Sequence, residues 1–227
     1  MPDSMLPSEW YDADEQAVLR LSSKSHWDIP VKVKGKTVHV LASHPTPPVF
    51  DGPENRNGRR NHDEIRFWID YVAGEDYMVD DQGRSGGLPE QARFVIMGDL
   101  NADPNDGDST GSPARKLLAS PRVNTDITPV SAGAAESAIR QGGANLTHLG
   151  GADFDTADFA DGTPGNLRVD YVLPSDNLCL TGAGVFWPLP GDPLYDLVGD
   201  YPFPSSDHRL VWIDLKKGRC KMESEKD

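Results

Sequence analysis

The sequence has only two cysteines among its 227 residues. Cys179 and Cys220 are far apart along the chain, and this excludes both a clustered zinc-binding pattern and the disulfide framework of a small secreted domain. A single bridge between them and two unpaired thiols are both compatible with the spacing. The cysteines therefore do not indicate the compartment in which the protein works.

Long apolar runs are also missing. No segment approaches the roughly 18 apolar residues that a membrane-spanning helix needs, so we expect no membrane span. Residues 1–16, MPDSMLPSEWYDADEQ, are acidic and polar, and they have neither the basic region nor the apolar region of a signal peptide. We interpret these residues as a leader that precedes the folded part.

Basic residues are few. Lys and Arg number 22 against 36 Asp and Glu, which gives a formal net charge of −14. Because proteins bind duplexes non-specifically by neutralising phosphates with basic residues, this balance argues against a tight, metal-free nucleic-acid binder. It does not exclude an enzyme that processes phosphates with a divalent cation.

Turn-forming residues and short apolar stretches predict a fold rich in strands. The 22 Gly and 19 Pro indicate many turns. We expect one domain over 1–227, ending in a polar tail, 217–227, with a two-layer sheet core flanked by helices. The predicted strands are 18–24 (or a short helix from Asp14), 31–33, 38–42, 93–97, 167–174, 180–187 and 209–215.

Two elements have clear patterns. Val31 and Val33 alternate with polar residues before Lys34-Gly35-Lys36, and the alternation resumes after it, which predicts a β-hairpin. Apolar residues spaced as on one helical face predict a helix over 61–74, and 119–165 shows no clear pattern. The helix stripe consists of Ile65, Trp68, Ile69 and Val72.

Acid, amide or imidazole side chains lie at or near one end of a predicted strand in four places: His44, the Asp99/Asn101 pair, Asp170, and Asp207-His208. In extended chain, residues two apart face the same way, so Asp99 and Asn101 are expected to point at one ligand, with oxygens suited to a hard cation. Asp170 could orient the imidazole of His208, and His44 could donate to an oxyanion or a leaving group.

Each part also has a structural explanation. Asp-x-Asn after a strand commonly caps a turn, and an Asp-His pair is commonly a solvated surface dipeptide. Asp170 lies within the predicted strand RVDYVLPS, where a carboxylate needs a partner because its burial costs several kcal/mol. A simple salt bridge would satisfy it as well.

The ordered motifs SHPTPP, GDLNADP, RVDYVLPS and SSDHRLVWIDL resemble those of the endonuclease/exonuclease/phosphatase family. The blocks LSSKSHWDIPV, NHDEIRFW and GVFWP resemble a bacterial branch whose members are often exported. The resemblance implies a deoxyribonuclease-like α/β sandwich of two mainly antiparallel sheets flanked by helices. It also implies hydrolysis of a phosphodiester or phosphomonoester substrate, with nucleic acid among the candidates.

The resemblance assigns roles to individual residues. Asp99 orients or deprotonates the attacking water, and Asn101 binds the phosphate or the metal. Asp170 orients the catalytic His208, Asp207 is a metal ligand, and His44 is the second histidine. Asp99 and Asn101 would share with Asp207 a site for Mg²⁺ or Mn²⁺, with Ca²⁺ as a further candidate.

The sequence departs from the family pattern at its start. The family normally opens with a strand that ends in an asparagine, followed by a glutamate that binds the metal, and neither is found. We therefore expect the amino-terminal portion of the sandwich to be missing, with an exposed sheet edge that favours a homodimer. The alternative hypothesis is an inactive fragment that acts at most as a binding module. A calcium-binding structural domain is disfavoured because Gly107 is misplaced for an EF-hand loop.

Overall fold

The computed structural model describes residues 1–6 and 9–216. These residues form a mixed α/β fold with helices α1 (Ala13–Val18), α2 (Arg56–Ala73), α3 (Pro113–Leu118) and α4 (Ala132–Gln141). The strands are β1 (His26–Val33), β2 (Lys36–Ser43), β3 (Phe94–Asp99), β4 (Asp170–Pro174), β5 (Cys179–Phe186) and β6 (Leu210–Lys216). No helix in the described ranges has the length and apolarity needed to cross a membrane.

The tail predicted over 217–227 lies outside the described residues, and so does Cys220. Cys179, the first residue of β5, is disulfide-bonded rather than free.

The predicted hairpin is confirmed. β1 and β2 pair antiparallel with Val31 opposite Val38, and Lys34 and Gly35 at the turn have φ values of 48° and 77°. Two successive positive φ values are typical of a turn whose twist matches that of the flanking strands. β2 continues in parallel pairing with β3, which pairs antiparallel with β4, so the sheet order is β1-β2-β3-β4.

A second sheet consists of β5 and β6, paired antiparallel. The architecture is therefore the predicted α/β arrangement of two mainly antiparallel sheets with helices beside them. Only the β2–β3 pairing is parallel within the described part of the chain.

Helix α2 closes one face of the four-stranded sheet. Ile65 and Val72 are completely buried and Trp68 nearly so, and they belong to one apolar core with Leu41 and Ile96 of the sheet. These are three of the four residues of the predicted stripe, and the fourth, Ile69, is partly buried and packs against the same core. Trp68 also donates an indole hydrogen bond to Ser43 Oγ at 2.7 Å, which attaches the helix to the end of β2.

The helix begins five residues earlier than predicted, at Arg56 instead of Asn61. Asp51, in the preceding loop, accepts hydrogen bonds from the backbone N–H groups of Asn57 and Gly58 at 2.8 and 2.9 Å. Because those donors have no partner within the helix, a carboxylate from outside stabilises its first turn. The polar run at 61–64 lies inside the helix and is buried.

Two other predictions need correction. The strand predicted over 18–24 does not form, and the alternative, a short helix, is found as α1 with Asp12 and Glu15 forming a capping box. The stretch 119–165 contains α4 and two 3₁₀ turns. Helix α4 has only one Ile among Ala, Gly, Ser and polar residues, so no apolar stripe marks it.

Strand β1 leaves apolar side chains uncovered at the edge of its sheet. Trp27, Ile29, Val31 and Val33 occupy alternate positions, and each is between 39% and 59% exposed. Alternate residues of a strand share one face, so these four form an apolar strip, which we call the β1 strip. An edge strand with such a face is open to pairing with another chain.

Asp155 is buried near other acidic residues before β4. Burial, followed by repulsion from Asp103, Asp106 and Asp153, raises the pKa of Asp155 to about 8. The native state therefore retains a proton on this carboxyl that the unfolded chain releases near its ordinary pKa of about 4. The contribution of Asp155 to the free energy of unfolding therefore falls as the pH rises from about 4 to about 8, since at this carboxyl the native state then binds more protons than the unfolded chain.

Asp155→Asn is expected to remove this pH dependence. Near pH 9 the variant should exceed the wild type by about 5 kcal/mol in free energy of unfolding, since each pKa unit is worth about 1.4 kcal/mol, and near pH 4 the two should agree. Urea denaturation at both pH values measures the difference. The exposed Asp196→Asn serves as control. An equal effect of Asp155→Asn at both pH values would contradict the assignment.

Candidate active site

The candidate site lies at one end of the strands of the four-stranded sheet, where β3 ends and β4 begins, beside the start of β6. Asp99 ends β3 and Asp170 begins β4, and the two are direct partners in the β3–β4 pairing. Antiparallel pairing brings the end of one strand beside the start of the next. His208 lies two residues before β6, so the second sheet supplies the third group. Asp170 is the first residue of its strand rather than an interior one.

These three side chains meet closely. Nδ1 of His208 lies 2.9 Å from Oδ2 of Asp170, and Nε2 of His208 lies 3.9 Å from Oδ2 of Asp99. One ligand atom from each residue lies within 4.8 Å of the other two. The structure thus brings together three residues that the sequence singled out.

Thr156 holds the carboxylate of Asp170 in place through hydrogen bonds. Its hydroxyl donates to Oδ2 of Asp170 at 2.9 Å and accepts the backbone N–H groups of Val169 and Asp170 at 3.0 and 2.9 Å. Thr156 is almost completely buried, so this contact fixes the carboxylate against the backbone. Thr156 cannot be identified from the sequence, because 119–165 has no pattern from which its position could be inferred.

The electrostatics of the cluster are unbalanced toward negative charge. The hydrogen bond to Asp170 raises the pKa of His208, which favours the imidazolium form. Burial, followed by repulsion from Asp170, raises the pKa of Asp99. Two neighbouring carboxylates thus share one imidazolium, and a further positive charge would be stabilised between them.

His44 is a fourth residue close to Asp99. It follows β2 directly, and its Nε2 lies 3.3 Å from Oδ2 of Asp99. Lys24 donates from Nζ to the backbone carbonyl of His44 at 3.1 Å. Since His44 is half exposed, its imidazole borders the open side of the site.

Asn101 is attached to Asp99 through the backbone. Its N–H donates to Oδ1 of Asp99 at 2.8 Å, and its side-chain amide donates to the carbonyl of Pro45 at 3.1 Å. With a φ of 51°, Asn101 lies outside the extended conformation. The expectation that alternation along a strand points both side chains at one ligand therefore does not apply, since β3 ends at Asp99.

Asp207 is adjacent to the site in sequence but is not part of the three-residue cluster. Among the residues that the structure describes, the cluster contains only Asp99, Asp170 and His208. Asp207 instead borders a neighbouring cavity together with Asp158. Its backbone carbonyl accepts the N–H of Asp158 at 2.8 Å, which positions the loop that carries His208.

Residues 10–208 match the model of the Endonuclease/Exonuclease/phosphatase family. The chain belongs to this family. The match includes all the predicted site residues, from His44 to His208. No curated protein matches the sequence.

Several solved structures are similar to the chain, with low identity. An endonuclease/exonuclease/phosphatase from Beutenbergia cavernae is 18% identical, with a TM-score of 0.48, over 84% of this chain and 39% of that one. Sphingomyelinase C from Streptomyces griseocarneus is 13% identical, with a TM-score of 0.39, over 82% of this chain and 52% of that one. A Staphylococcus aureus beta toxin mutant with bound magnesium ions is 13% identical, with a TM-score of 0.40, over 82% of this chain and 52% of that one. The chain thus spans about half of their length or less.

The Asp99–Asp170–His208 cluster fits a divalent cation. Carboxylate oxygens are the ligands that hard cations prefer. The pKa of Asp99 is raised by burial and then by repulsion from Asp170, and a bound cation would offset that repulsion. A cavity of about 470 Å³ borders Asp99, Asp170 and His44, which leaves room for the waters that Mg²⁺ retains. Asp99 is the best-placed ligand, since Asp170 is already hydrogen-bonded to His208 and Thr156.

Proposed function

We propose that this site hydrolyses a phosphodiester or phosphomonoester with Mg²⁺ or Mn²⁺. Family membership supports the reaction class. The observation that carries the proposal is the 2.9 Å pairing of His208 with Asp170, directly beside Asp99. Both the pKa of His208 and the pKa of Asp99 are raised there, in the directions that proton transfer near neutral pH requires.

His208 is proposed to act on the phosphoryl group. Asp170 binds Nδ1 and leaves Nε2 free, so the ring has a fixed orientation with one nitrogen available. Because Asp170 raises the pKa of His208, the imidazolium form persists to higher pH and can donate to a phosphoryl oxygen. The positive charge of the imidazolium is complementary to the negative charge that develops on that oxygen during attack.

Asp99 is proposed to orient and deprotonate the attacking water. His44, 3.3 Å from Asp99, would donate to the leaving-group oxygen. Asn101 and Asp207 are proposed as additional ligands of the phosphate and the ion, although in this structure Asn101 donates to Pro45.

A divalent cation, when bound, would neutralise charge on the phosphoryl oxygens. Ca²⁺ is a further candidate because it also prefers carboxylate and carbonyl oxygens. The net charge of −14 favours a small or lipid phosphoester over duplex DNA as the substrate.

The test is hydrolysis of bis-p-nitrophenyl phosphate and of plasmid DNA by chelator-treated protein. We expect activity on the small diester only after Mg²⁺ or Mn²⁺ is added, and background rates with EDTA. Ca²⁺ forms a third arm of the experiment. Nicking of the plasmid at a comparable rate would identify nucleic acid as a substrate. Activity that persists without any added ion in the presence of EDTA would contradict metal dependence.

The β1 strip supports a second proposal, in which the chain pairs with a second copy through this sheet edge. Four exposed apolar side chains beside an unpaired strand edge favour such an association. Sedimentation velocity should then show a dimer that Ile29→Lys dissociates. Ile139→Lys, which alters an exposed apolar residue of α4, should leave the dimer intact. A monomeric wild type would refute the pairing and leave the strip as a surface for another partner, as in the binding-module hypothesis.

A further inference from the structure

A second cavity, of about 500 Å³, lies beside the candidate site. Its walls come from the loop that follows β2, from the loop of residues 101–109 that follows β3, and from the segment before β4. The apolar part of the lining consists mainly of Pro47, Phe50, Phe159, Pro164 and Leu167. We call it the apolar cavity.

The apolar cavity is connected to the catalytic groups by two residues. Asn101 is part of its wall, and the backbone N–H of Asn101 donates to Asp99 at 2.8 Å. Phe159 is part of another wall, and its ring meets the ring of His208 edge-on, with the centroids 5.5 Å apart. A substrate whose phosphate contacts His208 would therefore place an attached group near this cavity.

Phe50, which lines the apolar cavity, combines a highly exposed side chain with an uncommon backbone conformation. Its side chain is 92% exposed, and its φ of 60° lies in the left-handed region that bulky residues rarely adopt. Backbone conformations of this kind cluster at ligand-binding sites, where they are part of the function. A large exposed aromatic ring beside an open apolar cavity is suited to cover a bound apolar group.

The charged residues of the lining indicate which group the cavity accepts. The carboxylate of Asp103 already accepts the N–H groups of Asn105, Asp106 and Arg168, and that of Asp106 accepts two further N–H groups. These acids stabilise the loops and offer no positive charge to a ligand. Asp108 also lines the cavity, and no Lys, Arg or His among the described residues does, so the lining disfavours a second phosphate or any other negatively charged group.

We propose that the apolar cavity binds the organic group of the phosphoester substrate, that this group is aromatic or similarly apolar and carries no negative charge, and that Phe50 determines the preference for it. The inference rests on the proposed phosphoesterase function, because the position of the phosphate at His208 places the organic group here. It assigns Phe50 to substrate specificity and not to the chemical step.

The test compares benzylphosphonate with methylphosphonate as competitive inhibitors of bis-p-nitrophenyl phosphate hydrolysis with Mg²⁺. Phosphonates are not hydrolysed, so the single organic group reports binding alone. We expect benzylphosphonate to bind about tenfold more tightly in the wild type, or about 1.4 kcal/mol. Phe50→Ala should remove most of this preference, whereas Phe50→Trp should retain it. Ile139→Ala, an exposed apolar residue on α4, is the matched control.

Two results would overturn the inference while the phosphoesterase function stands. One is equal inhibition by the two phosphonates in the wild type, and the other is an unchanged preference in Phe50→Ala with a native circular dichroism spectrum. If the wild type shows no turnover above His208→Ala and neither phosphonate binds, the phosphoesterase function itself fails, and the inference fails with it.

Discussion

Replacing His208 with alanine is expected to lower kcat for a phosphodiester about 1,000-fold, which corresponds to about 4 kcal/mol of transition-state stabilisation. The imidazole is hydrogen-bonded to Asp170 at 2.9 Å and lies 3.9 Å from Asp99, so alanine removes the proton donor from the centre of the cluster. The fold should persist, because His208 lies in a loop before β6 and is partly exposed. Steady-state kinetics with Mg²⁺, supported by circular dichroism, measure both effects.

The matched control is His39→Ala. His39 Nδ1 lies 2.7 Å from Oδ1 of Asp28, which gives the same kind of histidine–aspartate pair on the β1–β2 hairpin. Its loss should change kcat less than about twofold, since it does not border the site. An equal loss of kcat in the two variants would show that His208 has no special part in the reaction.

Asp170→Asn separates orientation from chemistry at His208. The carboxylate raises the pKa of His208, so its removal lowers that pKa, and the active imidazolium form is lost at lower pH. The alkaline limb of the pH–rate profile should therefore move to lower pH in the variant, together with a fall in kcat of about 100-fold. An unshifted limb would contradict the pairing as the source of the raised pKa.

Replacing Glu64 with alanine is expected to destabilise the protein by about 3 kcal/mol and to reduce activity as well. Glu64 is fully buried in α2 and accepts the N–H of Ser23 at 2.6 Å and the N–H of Thr46 at 2.6 Å. The hydroxyl of Ser23 donates to the same carboxylate at 3.0 Å. Alanine would remove the buried acceptor of all three hydrogen bonds, which attach the segments of Ser23 and Thr46 to α2.

The effect on activity should come through His44. Thr46 is two residues from His44, so loss of its contact with Glu64 frees the segment that carries this imidazole. We expect kcat to fall about tenfold even at temperatures where the variant is folded. Urea denaturation and kinetics should be compared with Glu75→Ala, an exposed glutamate just beyond the same helix. A stability of Glu64→Ala equal to that of Glu75→Ala would contradict the role of this buried carboxylate.

The sequence predicts the elements whose patterns are local. The hairpin is fixed by alternating valines around Lys34-Gly35, and the buried stripe of α2 follows from helical spacing, so both are found in the structure. The start of α2 is not predicted, because Asp51 caps the helix from a loop and the polar run at 61–64 is buried. Helix α4 lacks an apolar stripe altogether.

The candidate site follows a similar division. The motifs identify Asp99, Asp170 and His208, and pairing of β3 with β4 brings the two carboxylates together, as residues at strand ends allow. The orientation of Asn101 could not be predicted, because it depends on a left-handed backbone beyond the strand. Thr156 was missed because its contact with Asp170 joins segments with no shared pattern.

The most direct test of the central claim is hydrolysis of bis-p-nitrophenyl phosphate in ¹⁸O-labelled water with Mg²⁺, followed by ³¹P NMR. The account predicts that wild-type protein inserts one ¹⁸O atom into the p-nitrophenyl phosphate product, because water attacks phosphorus at Asp99 and His208. Parallel reactions with His208→Ala should form labelled product about 1,000-fold more slowly. Folded wild-type protein that yields no labelled phosphate, or no more than His208→Ala, would contradict the assignment of a phosphoesterase site to this chain.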